Sequence, residues 1–340
     1  MQATQAYVVV DGDGHVREDD AALRARLPAR WSHRRQLMPI DGFDRDLGGR
    51  LGKNKVDAEM HLADMDVEGI GVSVLYPTAG LFLGDLREPE YSVAYCHAYN
   101  DWLADYCRID SKRLKGVALL PLQDVAASCT ELQRAVRELG MVGAMFPTFF
   151  RLGPQSPGDK TYDPFYATAQ DLAVPVAFHA SGSVARANNS FSNFLEVHIH
   201  SHVPEQMAML TFTLLEGVLE RFPRLTIGFM EAGCGWVPFW LEHIDEEWEK
   251  RRAEAPLQAK PSEYALSGRC YFGVEPEERM IPIAAEMLGA GQLLYASDYP
   301  HWDSGWPDTV KTLRERRDIS ESLKQKILAT NAQTFYHLGK

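Results

Sequence analysis

The sequence predicts a (β/α)₈ TIM barrel, and three observations carry that expectation. Short apolar runs alternate with helix-like stretches about eight times along the 340 residues, the pattern of a closed parallel sheet wrapped in helices. The runs are rich in β-branched and aromatic residues, as in Val72-Ser-Val-Leu-Tyr76, Gly143-Ala-Met-Phe146 and Leu225-Thr-Ile-Gly-Phe-Met230, which suit a pleated, buried surface. Several runs also end in a side chain able to bind a metal or move a proton, and such barrels carry their reactive groups at the C-terminal ends of the strands.

Taken in order, the strands are expected to end near Asp13, Pro77, Pro121, Pro147, His179, Ala232, Glu275 and Asp298. Helices are expected over 90–109, 125–139, 204–221, 237–252 and 276–288, where apolar residues recur at three- and four-residue spacing. Tyr95, Ala98, Trp102 and Tyr106 show the spacing plainly. A minimal barrel needs about 250 residues. The surplus is assigned to insertions at 18–55, 151–162 and 182–203, inside one domain spanning 1–340.

Composition narrows the function classes. The chain is 45% hydrophobic and 24% charged, ample for a large core. Its N-terminal residues lack the basic patch and apolar core of a signal peptide, and no apolar stretch reaches membrane-spanning length, so the expected location is cytoplasmic. Five cysteines, at 96, 107, 129, 234 and 270, are odd in number and form no CxxC pair; they read as reduced core residues. A formal net charge of −12 disfavours nucleic acid and anionic membrane as partners. A small-molecule substrate is expected, an anionic one included, since a bound cation reverses the sign of a pocket. A homo-oligomer is left open.

The candidate site starts at Asp13-Gly14-His15, just past the apolar run from Tyr7 to Val10. Residues i and i+2 of a strand share a face, so a carboxylate and an imidazole emerge side by side. Val174-Pro-Val-Ala-Phe-His179 and Leu293-Leu-Tyr-Ala-Ser-Asp298 end in the same manner. Strands one and eight are neighbours in a closed barrel, so Asp13, His15, His179 and Asp298 are expected to converge as the ligands of one divalent metal. Two imidazoles and two carboxylates point first to Zn²⁺, with Mn²⁺ or Fe²⁺ admitted. Tyr76, Phe146, Trp302 and Trp306 are candidate substrate-lining aromatics. Val197-His-Ile-His-Ser-His202 alternates, so an extended conformation would put His198, His200 and His202 on one face, as a surface or subunit-contact cluster or, alternatively, a second metal site.

Four motifs, in order and spacing, extend this reading: Asp13-Gly-His15; His61-Leu-Ala-Asp-Met-Asp66 with Gly69-Ile-Gly-Val-Ser-Val-Leu-Tyr-Pro77; Arg221-Phe-Pro-Arg-Leu-Thr-Ile227; and Tyr295-Ala-Ser-Asp298-Tyr-Pro300-His301. On these the chain resembles the amidohydrolase-related family, specifically the branch of aminocarboxymuconate semialdehyde decarboxylase and its metal-dependent hydrolase relatives. The resemblance covers nearly the whole chain. It implies a distorted TIM barrel with one divalent metal, held by Asp13, His15, His179 and Asp298. Two departures stand out. Asp13 occupies a place where the family usually has His or Glu, and Glu231 stands after strand six where many decarboxylase relatives place a His. Binuclear members carry a carboxylated lysine after strand four, but Met145-Phe-Pro-Thr148 has none, so a single metal is expected.

A divalent cation lowers the pKa of a bound water from 15.7 to about 7 and polarises a carbonyl. The expected activity is hydrolysis of a small organic substrate by metal-activated water, with His179 in the site and Asp298 and Glu231 handling protons. Glu231 decides for this reading, because an ionised carboxylate there would repel a substrate carboxylate. The alternative is a non-oxidative decarboxylase of an aromatic or unsaturated carboxylate, with Asp298 protonating the carbon that loses CO₂. It requires a cationic group to greet the substrate, for which Arg186 and the three clustered histidines are candidates.

Overall fold

The computed structural model describes residues 7–39, 56–149, 151–154, 156–181 and 191–339. Among them, eight strands form one parallel sheet in sequence order: β1 (Val10–Val16), β2 (Val72–Pro77), β3 (Leu114–Ala118), β4 (Gly143–Pro147), β5 (Val176–His179), β6 (Ile227–Met230), β7 (Cys270–Val274) and β8 (Leu293–Tyr295). The major helix after each strand is, in turn, α1 (Ala58–Glu68), α2 (Pro89–Cys107), α3 (Val125–Arg137), α4 (Asp163–Asp171), α5 (Phe194–Leu215), α6 (Val237–Lys250), α7 (Ile281–Leu288) and α8 (Thr309–Glu315). This is the expected barrel. No helix among the described residues is long and apolar enough to cross a membrane.

Alternation along the strands sets which side chains reach the barrel axis. Phe146, Phe178, Phe229 and Phe272 are register partners on β4 to β7, and their rings follow one another at 5.2–5.5 Å. Phe146 also meets Phe165 and Tyr166 of α4, so this ladder faces the helical layer. His179, one residue beyond Phe178, therefore points to the opposite face, into the barrel.

The seam between β1 and β8 is closed by a buried carboxylate as well as by backbone. Asp11 accepts hydrogen bonds from Ser73 Oγ (2.9 Å), Ser297 N (3.0 Å), Ser297 Oγ (2.7 Å) and Asp13 N (3.3 Å). It thus ties β1 to β2 and to the chain just past β8. Beyond it, Asp298 N donates to Asp13 O (3.0 Å) and His15 N to Tyr299 O (2.7 Å). Burial raises the Asp11 carboxyl to about 6, against the opposing pull of these donors. Replacing Asp11 with Ala orphans the buried donors, and a charged hydrogen bond contributes about 1.5–3 kcal/mol. Asp11→Ala is therefore expected to destabilise the fold by at least about 2 kcal/mol, read as a fall in denaturation midpoint; an unchanged midpoint would refute this role.

Local signals set the helix boundaries. Asp57 and Asp124 accept from Met60 N and Ala127 N at the starts of α1 and α3, and Gly69 ends α1 at a left-handed φ of +79°. The clearest departure from expectation is α5. It begins at Phe194, ten residues before the expected start at 204, and Pro204 lies inside it. Asn193 caps it by accepting from Glu196 N (3.0 Å), while Glu196 accepts from Ser192 N (2.8 Å). The histidine run 198–202 is thus helical, so the extended conformation that would have put all three histidines on one face is not adopted. Cys96, Cys107, Cys234 and Cys270 are buried, Cys129 is half-buried, and all five are free thiols, as expected.

Candidate metal centre

The barrel gathers the four predicted ligands around His15, with Asp13 and His179 on one side and Asp298 with Glu231 and His301 on the other. His15 Nε2 lies 3.8 Å from Asp13 Oδ1 and 3.5 Å from Asp298 Oδ1, and His179 Nε2 lies 3.3 Å from Asp13 Oδ1. Asp13 and His15 leave the same face of β1, which continues to Val16 with a register shift between Asp11 and Gly14. His179 is the last residue of β5. Asp298 sits three residues past the end of β8 at a left-handed φ of +53°, a conformation that short polar residues such as Asp tolerate best.

Three of the converging atoms lack partners. Asp13 Oδ1, His15 Nε2 and His179 Nε2 are buried with no hydrogen bond, a rare condition for buried polar atoms, while Asp298 Oδ1 is paired with His301. Each imidazole is held from its far side: His15 Nδ1 meets Pro77 O at 2.9 Å and His179 Nδ1 meets Ala180 O at 3.1 Å. A carbonyl accepts only, so both Nδ1 atoms carry hydrogen and both Nε2 lone pairs face the cluster, the tautomer of a metal ligand. Burial holds His15 well below its ordinary pKa. Burial also pushes the Asp13 and Asp298 carboxyls up, although His179 and His301 pull against it. Two buried carboxylates and two inward lone pairs fit a divalent cation, the charge that would relieve them.

A second layer surrounds these four. Glu231, just past β6 and also left-handed at φ +57°, is flanked by three imidazoles. His179 Nδ1 is 3.2 Å and His202 Nε2 3.5 Å from its Oε2, and His301 Nδ1 is 3.7 Å from its Oε1. Burial opposes ionisation, but His202 and His179 outweigh it and hold the carboxyl well below its usual range. His202 in turn is raised to about 9, its burial overcome by Glu231. His301, given no role by the sequence reading, lies 2.6 Å from Asp298 Oδ1, and its Nε2 is 3.0 Å from Thr78 Oγ1. Its position three residues after Asp298 was the available signal.

The helical course of 198–202 redistributes its histidines. His198 and His202 are one turn apart and share a face. His198 Nε2 pairs with Asp303 at 3.2 Å, and both histidines line the cavities at the barrel mouth. His200 lies apart, stacked on Phe191 at 4.7 Å. Arg186 lies outside the described residues. Of the four candidate aromatics, Trp302 lines the main cavity. Phe146 packs into the ladder behind the barrel, Trp306 packs on Tyr299, and Tyr76 bonds Tyr336 through its hydroxyl at 2.6 Å while its ring backs His179. Tyr76 and Phe146 are core aromatics, because burial on the barrel already accounts for their apolar surface, and Trp306 is half-buried outside the core. After β4, Thr148 Oγ1 donates to Glu205, and no lysine stands there.

The sequence model of a family described as Amidohydrolase matches residues 13–338. The chain belongs to that family. Its relatives lie on the expected branch. A gamma-resorcylate decarboxylase from Polaromonas sp. strain JS666 is 28% identical over 256 residues, covering 71% of this chain and 76% of that protein. A 2-amino-3-carboxymuconate-6-semialdehyde decarboxylase from Dictyostelium discoideum is 22% identical over 88% of this chain and 81% of its own length. Among solved structures, a 5-carboxyvanillate decarboxylase from Novosphingobium aromaticivorans, with bound manganese and 3-methoxy-4-hydroxy-5-nitrobenzoic acid, superposes at a TM-score of 0.78 over 98% of both chains at 21% identity.

These relatives overturn the hydrolase expectation. They are decarboxylases, and the premise behind that expectation fails within the site. Glu231 was expected to repel a substrate carboxylate, but it lies among three imidazoles, and His202, raised to about 9 beside it, offsets its charge. The preference for zinc also lacks support, since the cation named with the solved relative is manganese.

Proposed function

We propose that this chain is a metal-dependent, non-oxidative decarboxylase of hydroxylated aromatic carboxylates. The observation that carries the reading is the convergence of Asp13, His15, His179 and Asp298, the inward-facing atoms of the first three without hydrogen bonds, in a barrel with decarboxylase relatives. Asp13, His15, His179 and Asp298 would hold the cation. When bound, it supplies positive charge that fixes the substrate carboxylate and a neighbouring oxygen and stabilises charge as it develops. Four protein donors plus substrate oxygens exceed the tetrahedral preference of Zn²⁺ and suit the higher coordination of Mn²⁺, so manganese is the cation proposed.

The chain's own groups then divide the work. Asp298 would pass on the proton that the carboxylate-bearing ring carbon takes up, with His301, 2.6 Å from its Oδ1, placed to supply it. As the carbon–carbon bond breaks, its electron pair returns to the ring, CO₂ leaves, and Asp298 is left ionised beside His301. A ring hydroxyl next to the carboxylate makes that carbon basic enough to be protonated. Glu231 acts as a positioning residue for His179, His202 and His301. His202, cationic beside Glu231, supplies the cationic group that the decarboxylase alternative called for.

The test is CO₂ release. Protein loaded with Mn²⁺ is expected to convert 2,6-dihydroxybenzoate or a related hydroxybenzoate to the phenol with one CO₂ per substrate and no oxygen consumed. Chelation should abolish turnover, and Mn²⁺ should restore it better than Zn²⁺. Substrate loss without CO₂, or activity that survives chelation, would overturn the proposal.

A further inference from the structure

The cavity at the barrel mouth is larger than a one-ring substrate requires. It holds about 480 Å³, and a cavity of about 150 Å³ is enough to take up benzene. A neighbouring cavity of about 200 Å³ reaches Asp13 and Asp298 and shares His198, His202, Glu231 and Asp303 with the larger one. A single ring with its carboxylate is accommodated close to the metal centre, and most of the larger chamber remains beyond it.

The lining of that chamber indicates what fills the remainder. Its walls include Leu37, Met38, Leu81, Phe82, Phe194 and Trp302. The Phe194 and Trp302 rings meet edge to face at 5.8 Å, and Trp302 meets the His198 ring at 5.4 Å, so one side is an aromatic surface. The polar groups inside already have partners. Glu18 accepts from the backbone nitrogens of Thr78, Ala79 and Gly80 at 3.3, 2.9 and 2.8 Å. Ser201 Oγ donates to His198 O, His198 pairs with Asp303, and His202 pairs with Glu231. Arg17, Asp20 and Gln36 are exposed at the rim. A polar group on the distal part of a substrate would lose water and gain little, whereas an aromatic group would bury apolar surface against the Phe194–Trp302 side.

We propose that the substrate is a two-ring aromatic hydroxy acid, whose second ring, fused or linked, occupies the chamber between Phe194–Trp302 and the Leu37–Leu81–Phe82 wall. This rests on the decarboxylase reading for the reaction, and on the cavity alone for the second ring. The test pairs 2-hydroxybenzoate with 1-hydroxy-2-naphthoate, which share the hydroxyl next to the carboxylate and differ by one ring. In parallel, the Kd of phenol and of 1-naphthol for the Mn²⁺-loaded protein is measured by calorimetry. The naphthoate is expected to show a kcat/KM about tenfold higher or more, and 1-naphthol to bind tighter than phenol by a similar factor, the discrimination an apolar pocket gives for added hydrocarbon. Phe194→Ala and Phe82→Ala should each shrink that ratio at least about threefold. Equal values for the one-ring and two-ring compounds, or a ratio unchanged in both variants, would overturn the proposal. If neither acid releases CO₂, the decarboxylase reading fails, and the phenol and naphthol affinities still decide the second ring.

Discussion

Asp298→Asn is expected to lower kcat for CO₂ release on the order of 10³-fold while leaving the protein folded and largely metal-loaded. Asn keeps an oxygen able to reach the cation and tolerates the left-handed backbone that Asp298 adopts at φ +53°. It cannot hold or deliver the proton that the departing CO₂ leaves a place for. The backbone bond from Asp298 N to Asp13 O does not depend on the side chain, so the β1–β8 seam should persist. Thermal denaturation and metal analysis separate the two effects: a midpoint within a few degrees of wild type, with most of the metal retained, places the loss in chemistry. Near wild-type turnover in a folded, metal-loaded Asp298→Asn protein would reduce Asp298 to a residue that shapes the turn.

The second large effect is expected at His179. His179→Ala removes an inward-facing Nε2 from the cluster and also takes the imidazole away from Glu231, 3.2 Å from its Nδ1. Outer partners of metal ligands already contribute about 10–100-fold to affinity, and a ligand should exceed that. Elemental analysis should find close to one divalent metal per chain in the wild type and a small fraction of that in the variant, with activity lost in proportion. Circular dichroism checks that the barrel persists. Full metal content in a folded His179→Ala protein would remove His179 from the ligand set.

How much of this was legible in the chain differs residue by residue. Asp13, His15, His179 and Asp298 could be named because each stands at or just beyond the end of an apolar run, and a barrel converts strand ends into one shared rim. His301 stood in the last of the motifs and Asp11 two residues before the first, yet their roles depend on partners far along the chain. Asp11 reaches Ser73 and Ser297, and His301 reaches Thr78 and Asp298. The histidine run at 198–202 was left in an insertion before the expected helix, because period-two alternation and the helical period are hard to tell apart over six residues, and because Pro204 marks an apparent helix start. Asn193 followed by Glu196 was the cue for the true start.

Strand periodicity and strand-end chemistry are local properties of the chain, and they were enough to place the barrel, the order of its strands and four residues that the structure brings together at its mouth. The tertiary structure alone decided the charge of the site. Whether Glu231 repels a carboxylate depends on His179, His202 and His301, which arrive from β5, α5 and the loop after β8. A buried carboxylate is a repulsive charge when alone and a neutralised one when imidazoles surround it. That juxtaposition is set by the closed sheet and the packing of α5 across its mouth, and no pattern along the chain encodes it.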